Sequence, residues 1–241
     1  MSRMVCGIQP VREAIRAHGS KIVRVCIETG DSTELGRLEK FARDNSISVE
    51  RVERRDLDRL TKAARHQGVL AYAPELKFET LATLLDSKPT FVILLDELED
   101  PQNFGAVIRS AVALGADALV FPEHHSAPLS MATFRASAGA VEHARLCRVS
   151  SLTSAMGAML QSGIEIFGLD AQAQNELHSV DLRGPVALVV GAEGKGLRKT
   201  VKQLCTSVVK LPMSGPIASL NASVAIAIAQ YEVLRQRALN G

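Results

Sequence analysis

Three polar stretches hold the residues best suited to chemistry, and each lies beside a strongly apolar run. In the first, residues 94–115, the positions Asn103, Gly105 and Arg109 form an N-x-G-x-x-x-R pattern. Arg109 falls within the first two turns of a predicted helix over 103–114, although a cation suits the C-terminal end of a helix better. The structural alternative is a capping Asn103 and a surface Arg109.

The second stretch, V-V-G-A-E-G-K-G-L at 189–197, places three glycines within six residues after an apolar run. This spacing predicts backbone brought close to a ligand, beginning at Gly191. The P-loop pattern fails because Val189 and Gly196 stand where it needs Gly and Ser or Thr, and the dinucleotide pattern G-x-G-x-x-G is absent. Glu193 would repel a phosphate, so the ligand is expected not to be chiefly anionic. A plain glycine loop is the structural alternative.

The third stretch, 211–237, leads from a predicted strand end into a long helix predicted over 217–238. Ser219 and Asn221 flank Leu220 at the start of this helix. They could simply cap it, but two polar residues in an otherwise apolar stretch also suit a pocket wall. Further along, four larger apolar residues share one helical face: Val224, Ile228, Tyr231 and Leu234.

The elements that must position these stretches alternate between strand and helix after residue 90. Continuous apolar runs predict strands at 91–95, 118–121, 164–169, 186–190 and 207–211. Helical patterns separate them at 103–114, about 130–138, 152–161 and 217–238. Such a succession predicts a parallel sheet covered on both faces. All three polar stretches adjoin predicted strand ends, where open α/β sheets bind ligands.

The first 73 residues predict a smaller α/β module. Its predicted elements are a helix at Gln9–Ala17, a strand at 21–27, a helix capped by Ser32, a strand at 47–52, a helix through Leu57, Leu60 and Ala64, and a strand at 66–72. Residues 74–90 predict a linker whose short apolar helix docks on the second domain, 91–241. The domains expected are therefore 1–73 and 91–241.

Composition limits the function classes. The chain has 241 residues, 46% apolar and 22% charged, which is typical of a globular protein with a real core. No apolar run reaches the ~20 residues of a membrane-spanning helix. Four widely spaced cysteines lack metal-ligand spacing and predict reduced thiols in a cytoplasmic protein without a metal. Residues 1–76 hold 14 Lys and Arg against 11 Asp and Glu, and a solvated surface explains this weak excess of positive charge about as well as a nucleic-acid partner does.

The three motifs, in this order over residues 91–238, resemble those of the SpoU (TrmH-like) RNA ribose 2′-O-methyltransferases. The N-terminal segments C-G-I-Q-P-V-R-E-A-I and H-Q-G-V-L-A resemble the substrate-binding domain of the bacterial 23S rRNA guanosine-2′-O-methyltransferases of the RlmB type. The resemblance thus covers nearly the whole chain. Ala222 replaces the usual Val of the third motif, and Val112 stands where many members have Asp.

This resemblance implies an S-adenosylmethionine-dependent enzyme that works as a homodimer and has a deep trefoil knot in its C-terminal α/β (SPOUT-type) domain. The cofactor is implied to lie bent in the knot, held largely by backbone groups at Gly191, Leu211 and Leu220. It also implies that a ribose 2′-hydroxyl of RNA attacks the sulfonium methyl.

The family gives the main catalytic role to the arginine of the first motif, here Arg109. Arginine stays protonated, so its fork is expected to grip a neighbouring phosphate and favour the alkoxide, while the phosphate or a water accepts the proton. Four further residues are expected to hold Arg109 and the ribose in place: Asn103, Glu193, Ser219 and Asn221.

The expected activity is therefore 2′-O-methylation of a guanosine ribose in large-subunit (23S) rRNA. One alternative is the same chemistry on tRNA or at another rRNA site. A second alternative is an RNA-binding or ribosome-assembly protein that keeps the fold without activity, against which the intact motif residues speak. A nucleotide-dependent oxidoreductase loses its support because both glycine patterns fail.

Overall fold

A computed structural model describes residues 2–62, 64–217 and 219–238. In chain order its strands are β1 (Ser2–Cys6), β2 (Arg24–Glu28), β3 (Val49–Val52), β4 (Val69–Pro74), β5 (Phe78–Glu79), β6 (Phe91–Asp96), β7 (Ala118–Pro122), β8 (Leu146–Val149), β9 (Glu165–Leu169), β10 (Asn175–Glu176), β11 (Val186–Gly191) and β12 (Ser207–Lys210). Its α-helices are α1 (Ile8–His18), α2 (Thr33–Asp44), α3 (Arg54–Leu60), α4 (Leu81–Asp86), α5 (Pro101–Ala113), α6 (Met131–Ala136), α7 (Leu152–Gln161), α8 (Lys199–Lys202) and α9 (Ala222–Ala238).

The described residues divide into two compact units. The first comprises Met1–Lys77 together with Leu129–His143, and the second comprises Phe78–Pro128 together with Ala144–Gly241. The first unit holds a four-stranded sheet in the order β1-β4-β2-β3. In this sheet β4 runs antiparallel to β1 and β2, whereas β2 and β3 are parallel. The edge strand β1 is absent from the sequence prediction, which begins with a helix.

Hydrogen bonds at the start of α1 and in the turn before β4 explain why the segments C-G-I-Q-P-V-R-E-A-I and H-Q-G-V-L-A contain the residues they do. The Gln67 side-chain oxygen accepts the Ile8 backbone N–H at 3.1 Å, just where α1 begins. The His66 ring Nδ1 accepts the Gly68 N–H at 3.0 Å. Ser32 caps α2 as expected, because its Oγ accepts the Leu35 N–H at 3.4 Å. The motif residues Gln67 and His66 therefore fix the start of α1 and the turn before β4.

Residues 129–143 follow β7 in the chain but pack within the first unit. The Glu142 side chain is completely buried and is paired with Arg3 and, at 2.9 Å, with His18 Nε2. Gly139 has a φ of +84°, and a Cβ there would lie 2.8 Å from the Pro10 Cα. A glycine is needed at this position because α1 approaches so closely. The sequence predicts a helix at about 130–138, and α6 lies within that range. It places this helix in the second domain, whereas the structure places it in the first unit.

The second unit contains an eight-stranded sheet in the order β10-β12-β9-β11-β6-β7-β8-β5. Every strand pairing in it is parallel, which confirms the predicted α/β class with a parallel sheet. The five predicted strands are present within one or two residues. The sequence analysis does not include β5, β8 and β10. The predicted helix over 217–238 begins later, at Ala222, and residue 218 lies outside the described residues.

Helix α9 buries a different face from the one that its larger apolar residues define. Small or medium side chains face inward, among them Ala222, Ile226, Ala229 and Val233. Val224, Ile228, Tyr231 and Leu234 do share one face, but that face is exposed, with 44–58% of each residue accessible. We call these four residues the α9 stripe. Among the helices of the described residues, none is long and apolar enough to cross a bilayer.

Candidate active site

The loops that follow β9, β11 and β12 enclose a cleft of about 680 Å³ in the second unit. It lies at the carboxyl edge of the sheet, near the point where the strand order reverses between β6 and β11. This is where parallel α/β sheets bind ligands. Six of the eight residues that the sequence analysis selects line it: Gly191, Glu193, Leu211, Ser219, Leu220 and Asn221.

A network of amides and a carboxylate joins the three motifs beside the cleft. The Asn103 Nδ2 donates to Glu193 Oε2 at 2.9 Å, and the Asn221 Nδ2 donates to Asn103 Oδ1 at 2.9 Å. Asn221 also lies 3.4 Å from Glu193 Oε1. Ser223 Oγ donates to Asn221 Oδ1 at 2.6 Å and contacts Asn103 Oδ1 at 3.3 Å. Ser223 belongs to the S-L-N-x-S motif, so this spacing was the signal that could have identified it.

The start of α5 leaves the Asn103 side chain free for this network. The helix begins at Pro101, and the Asp100 side chain caps it by accepting the Asn103 backbone N–H at 2.8 Å. The alternative of a capping Asn103 is therefore wrong, because Asp100 holds that role. Asn103 is buried and its side-chain amide is oriented by Glu193 on one side and Asn221 on the other.

Arg109 lies outside the cleft and outside the network. It follows Asn103 by six positions on α5, which separates the two by about 9 Å along the helix and about 120° around it. The residue is exposed, and among the described residues its guanidinium has no hydrogen-bond or ion-pair partner. The structure of one chain thus leaves the Arg109 cation uncompensated at the surface, available to an external anion.

The glycine loop is tightly folded on itself. A Cβ at Gly191 would lie 2.1 Å from the Gly196 carbonyl oxygen, so glycine is required there by the loop's own backbone. Ala192 and Gly196 form a β-bridge, and the Gly196 N–H donates to the Ala192 oxygen at 2.8 Å. The close approach predicted at Gly191 is therefore real but is made by Gly196. A Gly191→Val change would distort this loop, so it cannot test ligand contact alone.

The cleft walls combine apolar side chains with polar and charged groups. Leu220 and Met213 are partly exposed, and Leu211 is half-buried. Asp170 and Lys202 form an ion pair in the lining. Burial raises the pKa of Asp170, but hydrogen bonds from Lys202 and the Gln172 backbone outweigh it and hold this pKa below its ordinary value. The Glu193 carboxylate, in contrast, contacts amides, and it forms no ion pair with any residue that the structure describes.

Within residues 2–62, 64–217 and 219–238, no group of three or more His, Cys, Asp or Glu side chains is arranged to hold a metal ion. The same residues contain four free cysteines. Burial raises the pKa of each thiol, and that of Cys205 reaches about 11. These thiols are therefore poor nucleophiles and poor metal ligands at neutral pH.

Comparison with known proteins assigns both parts of the chain. The model of the SpoU rRNA Methylase family matches residues 90–231, and that of RNA 2′-O ribose methyltransferase substrate binding matches residues 4–79. A protein of Mycobacterium sp. (strain KMS), called an uncharacterized tRNA/rRNA methyltransferase, is 36% identical over 98% of this chain and 77% of its own length.

Solved structures agree with this assignment. The SpoU methyltransferase AviRb from Streptomyces viridochromogenes, crystallised with its cofactor AdoMet, is 27% identical with a TM-score of 0.79, covering 100% of this chain and 92% of AviRb. A protein studied for 2-OH methylation of C/U34 on tRNA is 32% identical with a TM-score of 0.56, covering 61% of this chain and 96% of that one.

A parallel α/β domain with a cleft at its carboxyl edge, joined to an RNA substrate-binding module, defines the class of RNA methyltransferases. Within that class, the chain belongs to the SpoU rRNA methylase family.

Proposed function

We propose that this protein uses S-adenosylmethionine to methylate the ribose 2′-hydroxyl of a guanosine in 23S (large-subunit) rRNA. The observation that carries the proposal is the hydrogen-bonded set of Asn103, Glu193 and Asn221. It brings one residue from each of the three motifs to the edge of the cleft. The network thus joins residues that are 90 and 118 positions apart in the chain at a cleft of suitable size for a cofactor.

The cleft fits the proposed cofactor. Its volume of about 680 Å³ suits a nucleoside-sized molecule. Leu211, Leu220 and Met213 provide apolar surface for an adenine ring, while the backbone at Gly191 and the following loop offers hydrogen-bonding groups. The uncompensated Glu193 carboxylate suits a ligand that carries positive charge rather than phosphate. The trefoil knot implied by the family remains part of this proposal.

S-adenosylmethionine supplies the methyl group for an in-line displacement by the ribose 2′-oxygen. The protein must hold that oxygen in line and help its proton to leave. Asn103 and Asn221 orient the Glu193 carboxylate, and this group with Ser219 would position the ribose at the cleft. Ser223 holds the Asn221 side chain in place, because its Oγ donates a 2.6 Å hydrogen bond to Asn221 Oδ1.

Arg109 is proposed to act on the RNA rather than on the cofactor. Its exposed guanidinium has no partner within residues 2–62, 64–217 and 219–238, so its donors can bind a phosphate next to the reacting ribose. Because arginine stays protonated, it would favour the alkoxide electrostatically, and the phosphate or a water would take the proton. This role is consistent with its position outside the cofactor cleft.

A homodimer is proposed from the α9 stripe. Four large side chains at helical spacing expose 44–58% of their surface, and a contiguous apolar patch on a folded protein usually marks an interface. Tyr231→Glu should place a charge in the centre of that patch and shift the sedimentation coefficient towards that of a monomer. A dimer of unchanged stability in this variant would reject the stripe as the interface.

Methylation of tRNA or of another rRNA site is the second candidate. The observation in its favour is the similarity to a protein associated with methylation of C/U34 on tRNA. That similarity covers only 61% of this chain, and the family model that matches residues 90–231 is described as an rRNA methylase, which supports the rRNA proposal. The four free thiols, of which Cys6, Cys26 and Cys147 are buried, and the proposed RNA substrate both support a cytoplasmic location.

The decisive experiment transfers labelled methyl groups to RNA from cells that lack this protein, followed by mapping of the modified ribose. Label at one guanosine of 23S rRNA is the expected result. Label in tRNA alone would replace the first candidate by the second. No transfer by a protein that binds S-adenosylmethionine in calorimetry would point to a non-catalytic RNA-binding protein.

A further inference from the structure

Asp96, the last residue of β6, lies at the base of the glycine loop. In the sheet it is paired directly with Gly191, where the loop begins. Its side chain is 0% exposed. A buried carboxylate is costly unless several donors satisfy it, and among the described residues one side chain with its own backbone provides them.

That residue is Arg198, 102 positions along the chain. Its backbone N–H donates to Asp96 Oδ2 at 2.9 Å, and its Nε donates to Asp96 Oδ1 at 2.7 Å. Its Nη2 lies 2.6 Å from the same Oδ1. Glu97 adds an outer contact at 3.1 Å to Arg198 Nη1. The side chain of Arg198 nevertheless remains 42% exposed, so its packing contributes little to the core.

These contacts fix both ends of the glycine loop at one carboxylate. Gly191 is held beside Asp96 by the sheet, and Arg198, directly after buried Leu197, is held by hydrogen bonds. The segment between them carries Glu193 at its exposed tip. The distance from Glu193 to its amide partners therefore depends on where the two loop ends are held.

We propose that the Asp96–Arg198 pair is a positioning element that sets the glycine loop for cofactor binding and for catalysis. Neither residue lines the cleft, so both act through the loop. The inference rests on the proposed function, since the loop forms one wall of the cofactor cleft.

Arg198→Lys tests the proposal because lysine keeps the charge and the backbone N–H but loses the planar fork. The first measurement is amide hydrogen exchange without cofactor. Gly196, whose N–H donates to Ala192, should exchange at least 10-fold faster, while amides of β11 should keep their protection. The second is calorimetry, in which the dissociation constant of S-adenosylmethionine should rise about 10-fold.

The matched control is Arg183→Lys. Arg183 also grips an aspartate through Nε and Nη2, at 2.7 and 2.6 Å from Asp181, but on an exposed surface outside the cleft. This variant should leave Gly196 exchange and cofactor affinity unchanged. If both variants behave alike, or if Arg198→Lys changes neither quantity by more than twofold, the positioning role is rejected.

Glu97→Gln keeps the test decisive if Arg198→Lys fails to fold. It removes only the outer ion pair and should give a shift of about threefold in the same two measurements. An unchanged value in a folded Glu97→Gln protein would overturn the proposal. Wild-type protein that binds no S-adenosylmethionine would instead refute the proposed function, because Gly196 exchange needs no cofactor and would still report on the pair.

Discussion

Each of the two units of this protein contains a polar network around one carboxylate, but the two carboxylates differ in burial and in the groups that they contact. In the first unit, Glu142 is buried between the Arg3 guanidinium and the His18 ring. In the second, Glu193 is exposed and is held by the neutral amides of Asn103 and Asn221. Cations neutralise a carboxylate and make it structural. Amides orient it without neutralising it, so its charge stays available to a ligand.

The largest effect on stability is expected from a change at Glu142. Glu142→Ala should lower the free energy of unfolding of the first unit by about 3–5 kcal/mol, because it leaves the buried Arg3 guanidinium without its anion. Chemical denaturation followed through hydrogen exchange of β1 and β4 measures this. The control is Glu50→Ala at the exposed Arg24–Glu50 pair, which should change stability by under ~1 kcal/mol. Equal effects of the two changes would contradict the structural role.

Arg109 is a cation that has no anionic partner among the described residues. Arg109→Lys should slow single-turnover methylation about 100-fold, or ~2.7 kcal/mol, because lysine keeps the charge but cannot form the bidentate grip. Cofactor affinity and melting temperature should stay as in wild type, since Arg109 lies outside the cleft. A rate within threefold of wild type at saturating RNA and cofactor would remove Arg109 from the reaction.

Glu193 should show the opposite profile to Glu142. Glu193→Gln keeps the size of the side chain but removes its charge, and it should change unfolding free energy by less than ~1 kcal/mol because the residue is exposed. The methylation rate should fall about 10-fold, or ~1.4 kcal/mol. Parallel measurement of unfolding and of single-turnover rate decides the matter. A variant that loses stability but keeps its rate would place Glu193 with the structural carboxylates.

The smallest effect is expected at the exposed Asp181–Arg183 ion pair, which belongs neither to the buried Glu142 network nor to the Glu193 network. Hydrogen bonds from the Arg183 side chain and backbone lower the pKa of Asp181 from 3.8 to about 2. A lowered folded-state pKa means that any stabilisation is complete above pH ~4 and is lost as the pH falls towards 2. Carboxyl-carbon NMR titration should give a midpoint of about 2, and a midpoint near 3.8 would show that the pair does not form in solution.

The sequence predicted the parts of this site that depend on local pattern. Apolar strand runs located the sheet, and the strand-end rule with the motif resemblance placed Gly191, Glu193 and Asn221 at one edge. It could not predict the Asp96–Arg198 pair, because contacts between distant residues leave no spacing to read. It also missed the exposure of the α9 stripe, since apolar residues at helical spacing ordinarily indicate a buried face.

The assignment of residues 129–143 to the first unit could not be predicted either, because it depends on contacts between residues that are distant in the sequence. Residues 129–143 lie in sequence between strands of the second sheet, and nothing local marks their attachment to β1 and α1. A cut at residue 77 would separate Glu142 from Arg3 and His18. A truncated protein of residues 77–241 therefore perturbs more than RNA recognition, and point variants are the cleaner tests.

The attachment of residues 129–143 also fixes an order of events during translation. The first 77 residues leave the ribosome before Glu142 has been synthesised. Until then, Arg3 and His18 lack the carboxylate with which they pair in the folded protein. Synthesis at ~5–20 residues per second needs roughly 3–13 s for residues 78–143. The N-terminal module is thus the first part of the chain to be made, but it is completed only after residues 78–128 of the second unit have been synthesised.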